Sequence, residues 1–140
     1  MYYGACVSLI ELIPLDLLGD NRGQLAVCEG GRNIPFEIRR VYYLTGTKSG
    51  VSRGFHAHRE LQQVAVSVSG KCLMILDDGL NKEEVWLDSP VKAVKISNMI
   101  WHEMHHFSED CVLLVMASDY YEEADYIREY STFLEVLNHA

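Results

Sequence analysis

Apolar and polar residues alternate with a period of two over much of the chain, which is the pattern of β-strands with one buried face. Residues 37–44 form the clearest early strand, and the alternation puts Arg40 and Tyr42 on one face and Tyr43 on the other. β-Branched residues are dense over residues 63–69, which also favours a strand. The pattern therefore predicts a chain built from short strands.

Turn residues separate these predicted strands. The stretch Asp20–Gly23 suits a tight reversal, because Asn and Gly tolerate the backbone angles it needs, and Asp77–Gly79 suits a hairpin turn. Only Tyr130–His139 carries apolar residues at helical spacing. Further strands are predicted over residues 5–13, 24–29, 71–76, 83–87, 91–96 and 111–117. Many short strands with one terminal helix predict an all-β sandwich or barrel.

Composition and charge narrow the class of protein. The 140 residues suit one domain, residues 1–140, and 49% hydrophobic residues are typical of a globular chain. A net charge of −8 disfavours binding to nucleic acid or to an anionic membrane by bulk charge. We see neither a signal peptide nor an apolar run of about 20 residues, as a membrane span needs. The four cysteines, none paired at metal-ligand spacing, predict buried free thiols in a cytoplasmic protein.

Two histidines, His56 and His58, stand two positions apart just before the strand predicted over residues 63–69. In a strand, residues i and i+2 point to the same face, so both imidazoles are expected to face one way and Ala57 the other. Imidazole suits proton transfer near neutral pH and also binds metals. The pair therefore predicts half a metal site or an acid/base pair, with two surface histidines in a loop as the plain alternative.

The spacing around this pair is more specific than the pair alone. Gly50 is followed by five residues, His-x-His, four residues, Gln63, six residues and Gly70. The series resembles the first motif of the cupin superfamily, whose metal-binding members carry Glu where this chain has Gln63. Gln is neutral and a poor ligand for a divalent ion. The resemblance implies a cupin fold, a jelly-roll barrel or sandwich with a short C-terminal helix, and a pocket that has lost a metal ligand.

A second dense patch covers residues 98–107, about one hairpin and one strand after the first. In cupins a third histidine comes from a second motif at that distance, and His102 has the expected spacing. The usual Pro-x-Gly of that motif is missing. His105 could face the same pocket or the surface, whereas His106 and His139 are expected at the surface.

Five stretches carry a closer resemblance, which runs in order from about Asp20 to Tyr130. They are Arg39–Tyr43, Arg53–His58, Leu76–Gly79, Trp101–Met104 and Ala117–Arg128. Together they resemble the nucleotide-sugar 3,4-ketoisomerases, which act on dTDP-4-keto-6-deoxy-D-glucose. The resemblance implies a dTDP-linked 4-keto-6-deoxy sugar as ligand, no metal and no other cofactor. It also implies a homodimer in which N-terminal strands are exchanged between subunits.

The reaction of that family moves a carbonyl from C4 to C3 of the sugar. It needs a base for the acidic proton at C3, a donor that returns a proton at C4, and groups that move protons between the two oxygens of the enediol. Paired histidines can do this without a metal. By the resemblance, His56 is the main base and His58 is its partner in proton shuttling.

Other residues are assigned to the substrate less directly. Arg53 is a candidate for the diphosphate, because a guanidinium binds phosphate oxygens in a fork. Arg40 is a candidate for a second phosphate contact or, alternatively, a solvated strand arginine. Tyr42 is assigned by alternation to thymine or the sugar. Tyr126 is expected to be structural.

Gln63 is expected to form a hydrogen bond where a metal ligand would otherwise sit. Trp101 and His102 are expected to line the pocket, with core packing as the alternative for Trp101. The turn around Arg22 and the sequence that begins at Trp101 resemble the members that return the C4 hydroxyl in the galacto configuration. We therefore expect Arg22 to contact substrate, and the product to feed a 3-aminotransferase that leads to a 3-amino-3,6-dideoxygalactose of bacterial surface polysaccharide.

Three other functions stay open at this point. A 3,5-epimerase of the same substrate is also a cupin, needs a base and a tyrosine acid across the ring, and leaves the ketone at C4. A metal-dependent cupin such as a dioxygenase would use His56, His58 and His102, and Gln63 argues against it. A non-catalytic sugar-binding cupin would keep its ligand affinity in a His56→Asn variant.

Overall fold

Two five-stranded antiparallel sheets and a separate two-stranded hairpin make up the computed structural model, which describes residues 8–139. A 3-10 turn, Glu123–Asp125, comes before the last strand, and the helix α1 spans Tyr130–Asn138. The strands are β1 (Glu11–Pro14), β2 (Leu17–Asp20), β3 (Gly23–Ala26), β4 (Arg40–Leu44), β5 (Arg53–His58), β6 (Gln63–Ser69), β7 (Cys72–Asp77), β8 (Lys82–Leu87), β9 (Lys92–Ile96), β10 (Trp101–His105), β11 (Val112–Ala117) and β12 (Tyr126–Ile127).

The chain crosses repeatedly between the two large sheets. The first sheet has the strand order β1-β9-β6-β11-β4 and the second has the order β12-β5-β10-β7-β8. Successive strands from β4 to β7 therefore lie alternately in one sheet and the other, as in a jelly roll. This arrangement confirms the predicted all-β class, and α1 confirms the predicted C-terminal helix.

Alternation along β4 predicted its two faces correctly. Arg40 and Tyr42 are half-buried on the face toward the second sheet, whereas Val41 and Tyr43 are 54% and 66% exposed. The period of two puts one set of this strand's side chains between the sheets and leaves the other set in solvent.

The main core lies between the facing sheets. It is made of aliphatic and sulfur-containing side chains from both sheets, and each large one stabilises the fold by about 1.5–3 kcal/mol through burial. Its most buried members are Ala65, Cys72, Met74, Leu76, Leu87, Val94, Cys111 and Leu113. Cys72 and Cys111 are free thiols, as predicted, and Cys28 is free and half-buried.

The helix α1 covers the outer face of the second sheet. Its Phe133 is fully buried in a cluster with Ala57, Trp101 and Ile127. The amphipathic pattern of this segment supplies the apolar face that packs on the strands. Within residues 8–139, no helix has the length and apolar character that a membrane crossing requires.

The N-terminal part differs from the predicted strands. Residues 5–7 of the predicted apolar strand, and with them Cys6, lie outside the described residues, and β1 pairs with β9 of the same chain. The predicted turn after Asp20 is confirmed as the turn of the β2–β3 hairpin. The hairpin is exposed along both strands, and the strand predicted over residues 24–29 ends at Ala26.

Candidate active site

A β-bulge in β5 shapes the strand that carries the histidine pair. The ladder with β10 pairs His102 with His56 and Glu103 with Gly54, so Phe55 is left without an opposite residue. Both Gly54 and Phe55 have positive φ, of 92° and 60°. A Cβ at Gly54 would lie 3.0 Å from the carbonyl oxygen of His102, so glycine permits this close approach.

Three imidazoles meet between the sheets. The rings of His56 and His58 have centroids 5.1 Å apart and share one face of β5, as predicted. The ring of His102 lies 4.5 Å from that of His56 and 6.1 Å from that of His58. The structure therefore brings the third predicted histidine to the first two.

Each of the three rings turns its Nδ1 toward an oxygen that can only accept a hydrogen bond. A neutral imidazole with a hydrogen on Nδ1 leaves a bare lone pair on Nε2. The cluster thus carries three basic nitrogens. The contacts are His56 Nδ1 to Gly54 O at 3.1 Å, His58 Nδ1 to Asp125 Oδ2 at 3.2 Å, and His102 Nδ1 to Ile100 O at 3.4 Å.

Burial keeps these imidazoles neutral. Loss of solvation lowers the pKa of His56 below its usual value. Loss of solvation and the neighbouring His56 lower the pKa of His58 to about 4, while Asp125 acts in the opposite direction. The pKa of the fully buried His102 lies well below its usual value for the same reasons, burial first and the other two histidines next. The cluster is therefore a set of proton acceptors at neutral pH.

A cavity of about 350 Å³ opens in front of the histidines. Three arginines, Arg40, Arg53 and Arg128, lie along it together with His56 and His102. The buried Nε of Arg40 has no hydrogen-bond partner within residues 8–139. Because Arg40 has an unpaired buried donor and two further guanidinium groups lie along the same cavity, the cavity suits an anionic ligand. Two of the arginines, Arg40 and Arg53, were predicted from sequence.

Tyr42 and Gln63 form a buried pair at the cavity wall. The Tyr42 hydroxyl donates a hydrogen bond of 2.6 Å to Oε1 of Gln63, and burial raises the pKa of Tyr42 to about 12. Gln63 is 1% exposed. The structure therefore places Gln63 behind Tyr42, where its amide orients the phenol that lines the cavity.

Trp101 does not line this cavity. Its ring packs against Tyr130 and Phe133, at centroid distances of 5.2 and 5.9 Å, and its Nε1 donates to Glu103 Oε2 at 2.9 Å. Neighbouring residues of a strand point to opposite faces, so His102 faces the cavity and Trp101 faces α1. The structure corrects the pocket prediction for Trp101 in favour of core packing.

Two other predicted positions also lie away from the histidines. Arg22 is at the tip of the β2–β3 hairpin, where its side chain is 87% exposed and its guanidinium pairs with Asp20 at 2.6 Å. His105 is on the Trp101 face of β10 and forms hydrogen bonds with Glu103 Oε1 at 2.9 Å and Ser52 Oγ at 2.7 Å. Among residues 8–139 of a single chain, the side chains that line the cavity do not include Arg22 or His105.

The segment before α1 supplies site residues that the sequence analysis did not assign. The ring of Tyr126 packs against His58 and His56, at centroid distances of 4.3 and 5.0 Å, although it was expected to be structural. The Arg128 guanidinium lies 4.2 Å from the Tyr126 ring and binds Glu123. The signal available in the sequence was the i, i+2 spacing of Tyr126, in β12, and Arg128, just after it.

The histidine cluster also has the dimensions of a metal site. One nitrogen from each of His56, His58 and His102 lies within 4.8 Å of the others. In the part of the chain that the structure describes, no carboxylate or thiolate joins this group. Three neutral imidazoles suit a transition-metal ion, and the same arrangement suits proton transfer without one.

Comparisons with known proteins place the chain among sugar-modifying enzymes. Residues 8–138 match the family model described as FdtA: WxcM-like, C-terminal. A TDP-4-oxo-6-deoxy-alpha-D-glucose-3,4-oxoisomerase from Aneurinibacillus thermoaerophilus is 54% identical over 123 residues, which are 88% of each chain.

Solved structures extend the likeness to the fold. A 3,4-ketoisomerase from Helicobacter canadensis matches with a TM-score of 0.90 and 42% identity, covering 93% of this chain and 98% of that chain. A mutant of the 3,4-ketoisomerase QdtA from Thermoanaerobacterium thermosaccharolyticum, in complex with TDP-4-keto-6-deoxyglucose, matches with a TM-score of 0.90 and 35% identity, covering 99% and 97%. These matches confirm the cupin jelly roll predicted from sequence.

Proposed function

The chain belongs to the FdtA (WxcM-like, C-terminal) family, and from this membership we infer that it is a TDP-sugar 3,4-ketoisomerase. We propose TDP-4-keto-6-deoxyglucose as its substrate. This sugar nucleotide is named for the relative at 54% identity and is the ligand in the QdtA complex. The proposal also agrees with a cavity that combines proton acceptors with a row of arginines.

The observation that carries the proposed chemistry is the convergence of three neutral imidazoles. A base takes the proton at C3, and the electron pair of that C–H bond forms the C3–C4 double bond of an enediol as O4 gains a proton. The hydroxyl at C3 then loses its proton. A proton then adds at C4, and the carbonyl stands at C3. His56 lines the cavity and is the proposed base, while His58, behind it, is its partner in proton shuttling.

The arginines are the proposed diphosphate site. Each phosphate of the ligand carries charge that a guanidinium matches with two parallel hydrogen bonds. Arg53 and Arg128 are exposed along the cavity, where the guanidinium of Arg128 also binds Glu123. Arg40 lies deeper, with its guanidinium 5.4 Å from the ring of Tyr42. The sugar then lies toward His56, and Tyr42 is the proposed contact for the sugar or thymine.

We also propose that residues 1–140 form one domain and that two copies exchange N-terminal strands. On the β2–β3 hairpin, Leu17, Leu18 and Leu25 are 43%, 56% and 58% exposed, which is unfavourable unless another surface covers them. In one chain, β1 pairs with the edge of its own β9. In a dimer, β1 can form the same pairing with the β9 edge of a second copy. In such a dimer the exposed Arg22 would enter the partner subunit's site.

For the product we propose the galacto configuration at C4. The proposal is supported by the resemblance of the turn around Arg22 and of the sequence that begins at Trp101 to the galacto-forming members. A 3-keto-6-deoxy sugar is a substrate for transamination at C3. The enzyme would therefore supply a 3-aminotransferase, on the way to a 3-amino-3,6-dideoxygalactose.

A metal-dependent cupin activity is the second candidate, favoured by the spacing of the three histidine nitrogens. The experiment incubates the purified protein and TDP-4-keto-6-deoxyglucose with EDTA and follows the ring carbonyl by 13C NMR. Movement of the carbonyl from C4 to C3 supports the proposed function. Activity that EDTA abolishes and a divalent ion restores favours the metal-dependent enzyme. A ketone that stays at C4, with or without exchange at C5, contradicts the ketoisomerase.

A further inference from the structure

Asp125 contacts His58 on the side away from the cavity. Its Oδ2 lies 3.2 Å from His58 Nδ1, and the two side chains are 18% and 3% exposed. The contact joins the end of the 3-10 turn to the end of β5, residues that are 67 positions apart in the sequence. A carboxylate in this position can act on the proposed reaction only through the histidine.

The carboxylate of Asp125 is itself held firmly. Its Oδ1 accepts a hydrogen bond from the backbone N–H of Glu60 at 2.9 Å, and its Oδ2 accepts one from Leu61 at 3.2 Å. The backbone carbonyl of Asp125 accepts a third, from the N–H of Arg59 at 2.9 Å. The loop after β5 therefore fixes both oxygens relative to the strand that carries the histidines.

His58 differs from the other two histidines in the group that binds its Nδ1. His56 and His102 each face a backbone carbonyl, whereas His58 faces a carboxylate. Hydrogen bonds in which the donor or the acceptor is ionised are about twice as strong as those between neutral groups. Protonation of Nε2 on His58 is therefore stabilised by Asp125 in a way that protonation of His56 or His102 is not.

From this difference we propose that Asp125 is a positioning residue for proton shuttling, an inference that rests on the proposed function. Asp125 keeps the hydrogen of His58 on Nδ1, so that the basic Nε2 faces His56 and the enediol oxygens. It also stabilises the imidazolium that forms when His58 takes a proton. This is the role that a buried carboxylate has beside a catalytic histidine in hydrolase triads.

The other charged and titratable groups around His58 do not fill this role. His56, His102 and Tyr126 pack against its ring faces and edges, and Arg40 is a cation whose charge lowers the pKa of His58. A second cavity of about 230 Å³, lined by His58 and Asp125, also contains Asp119. The Asp119 side chain is 63% exposed and pairs with Arg39, so it offers a matched control.

The test compares Asp125→Asn with Asp119→Asn in the full chain. Asparagine has only one acceptor oxygen, which is expected to keep the shorter bond from the Glu60 N–H, at 2.9 Å. Its NH₂ then faces His58 in place of Oδ2 and can only donate to the ring, which favours the other tautomer. We expect kcat to fall at least about 10- to 100-fold, the range for carboxylates that orient metal-binding histidines, with KM little changed. Asp119→Asn should keep both constants. In 15N-histidine NMR, His58 should carry its hydrogen on Nδ1 in the unmutated protein and on Nε2 in Asp125→Asn.

Several outcomes would overturn the proposal. One is an Asp125→Asn variant that is folded by circular dichroism and turns over as fast as the unmutated protein. Another is an NMR spectrum that shows the hydrogen of His58 on Nε2 in the unmutated protein. This measurement needs no variant, so it tests the proposal even if Asp125→Asn does not fold. An unmutated protein that converts no sugar contradicts the proposed function instead, and the tautomer measurement then still tests the contact by itself.

Discussion

His56 and His102 face each other across two neighbouring strands, with ring centroids 4.5 Å apart. The bulge at Phe55 makes this possible, because it shifts the register just where the two histidines pair. His58 then follows on the same side of β5. Bases from two separate parts of the sequence therefore converge in one cluster, and the proposed chemistry depends on that convergence.

Replacing the proposed base should slow turnover strongly and spare binding. We expect His56→Asn to lower kcat by about 10²- to 10⁴-fold, the usual contribution of a general base, since the amide cannot accept the C3 proton. The affinity for TDP, measured by isothermal titration calorimetry, should change little because the arginines remain. The control is His106→Asn, at an exposed position outside the cavity. An active His56→Asn variant would show that another group is the base.

The buried histidines should make the fold sensitive to acid. In the folded protein the pKa of His58 is lowered from 6.5 to about 4, whereas in the unfolded chain it returns to its usual value. The unfolded state therefore binds more protons between these values, and the free energy of unfolding should fall as the pH drops from 6.5 toward 4. Above pH 6.5 this contribution is fully present.

Urea titrations at several pH values measure this dependence. A His139→Asn variant should keep it, because His139 is exposed. The same free energy of unfolding at pH 5 and at pH 7 would contradict the claim that the folded protein keeps these imidazoles neutral.

Removing a guanidinium from the cavity should weaken diphosphate binding. We expect Arg53→Met to raise the Kd for TDP by about 10- to 100-fold, since a hydrogen bond to a charged group contributes about 1.5–3 kcal/mol. The effect should shrink at high salt, which screens exposed charges. Arg59→Met is the matched control, because Arg59 is exposed and does not line the cavity. If Arg53→Met and Arg59→Met bind TDP with equal affinity, the diphosphate does not bind at Arg53.

The contact between α1 and the β7–β8 turn should be sensitive to one added methyl group. A Cβ at Gly79 would lie 2.6 Å from Leu137 Cδ1, and Gly79 has a φ of 93°. We expect Gly79→Ala to destabilise the protein by about 1–3 kcal/mol in urea unfolding. Gly46→Ala, with a φ of 63° and open space around it, isolates the cost of the backbone conformation. An equal loss in both variants would mean that the helix contact contributes nothing.

Sequence reasoning located the cupin pocket because its signals are local. The spacing of His56 and His58 places them on one strand face, and alternation distinguishes Tyr42, half-buried at the cavity, from Tyr43 in solvent. Alternation could not decide between Trp101 and His102, since both faces of β10 are covered. The cavity lies on one side and α1 on the other, so both residues are buried.

The residues around His58 could not be predicted in the same way. Asp125 and Tyr126 come from a 3-10 turn and a two-residue strand, which are too short to show a period. Their position depends on pairing with β5, a contact that joins distant parts of the chain. Arg22 is the opposite case. The turn around it resembles the family and is recognisable from local sequence, but its proposed contact with substrate depends on a second copy of the chain.

The most direct test of the account is proton NMR of TDP-4-keto-6-deoxyglucose incubated in D₂O with the purified protein and no added metal. We expect a 3-keto product that carries deuterium at C4, because the proton passes through histidines that exchange with solvent. In a parallel incubation in H₂O, where C4 carries a proton, the coupling of that proton to the one at C5 should show the galacto configuration. An unchanged sugar, or exchange at C5 with the ketone still at C4, would contradict the account.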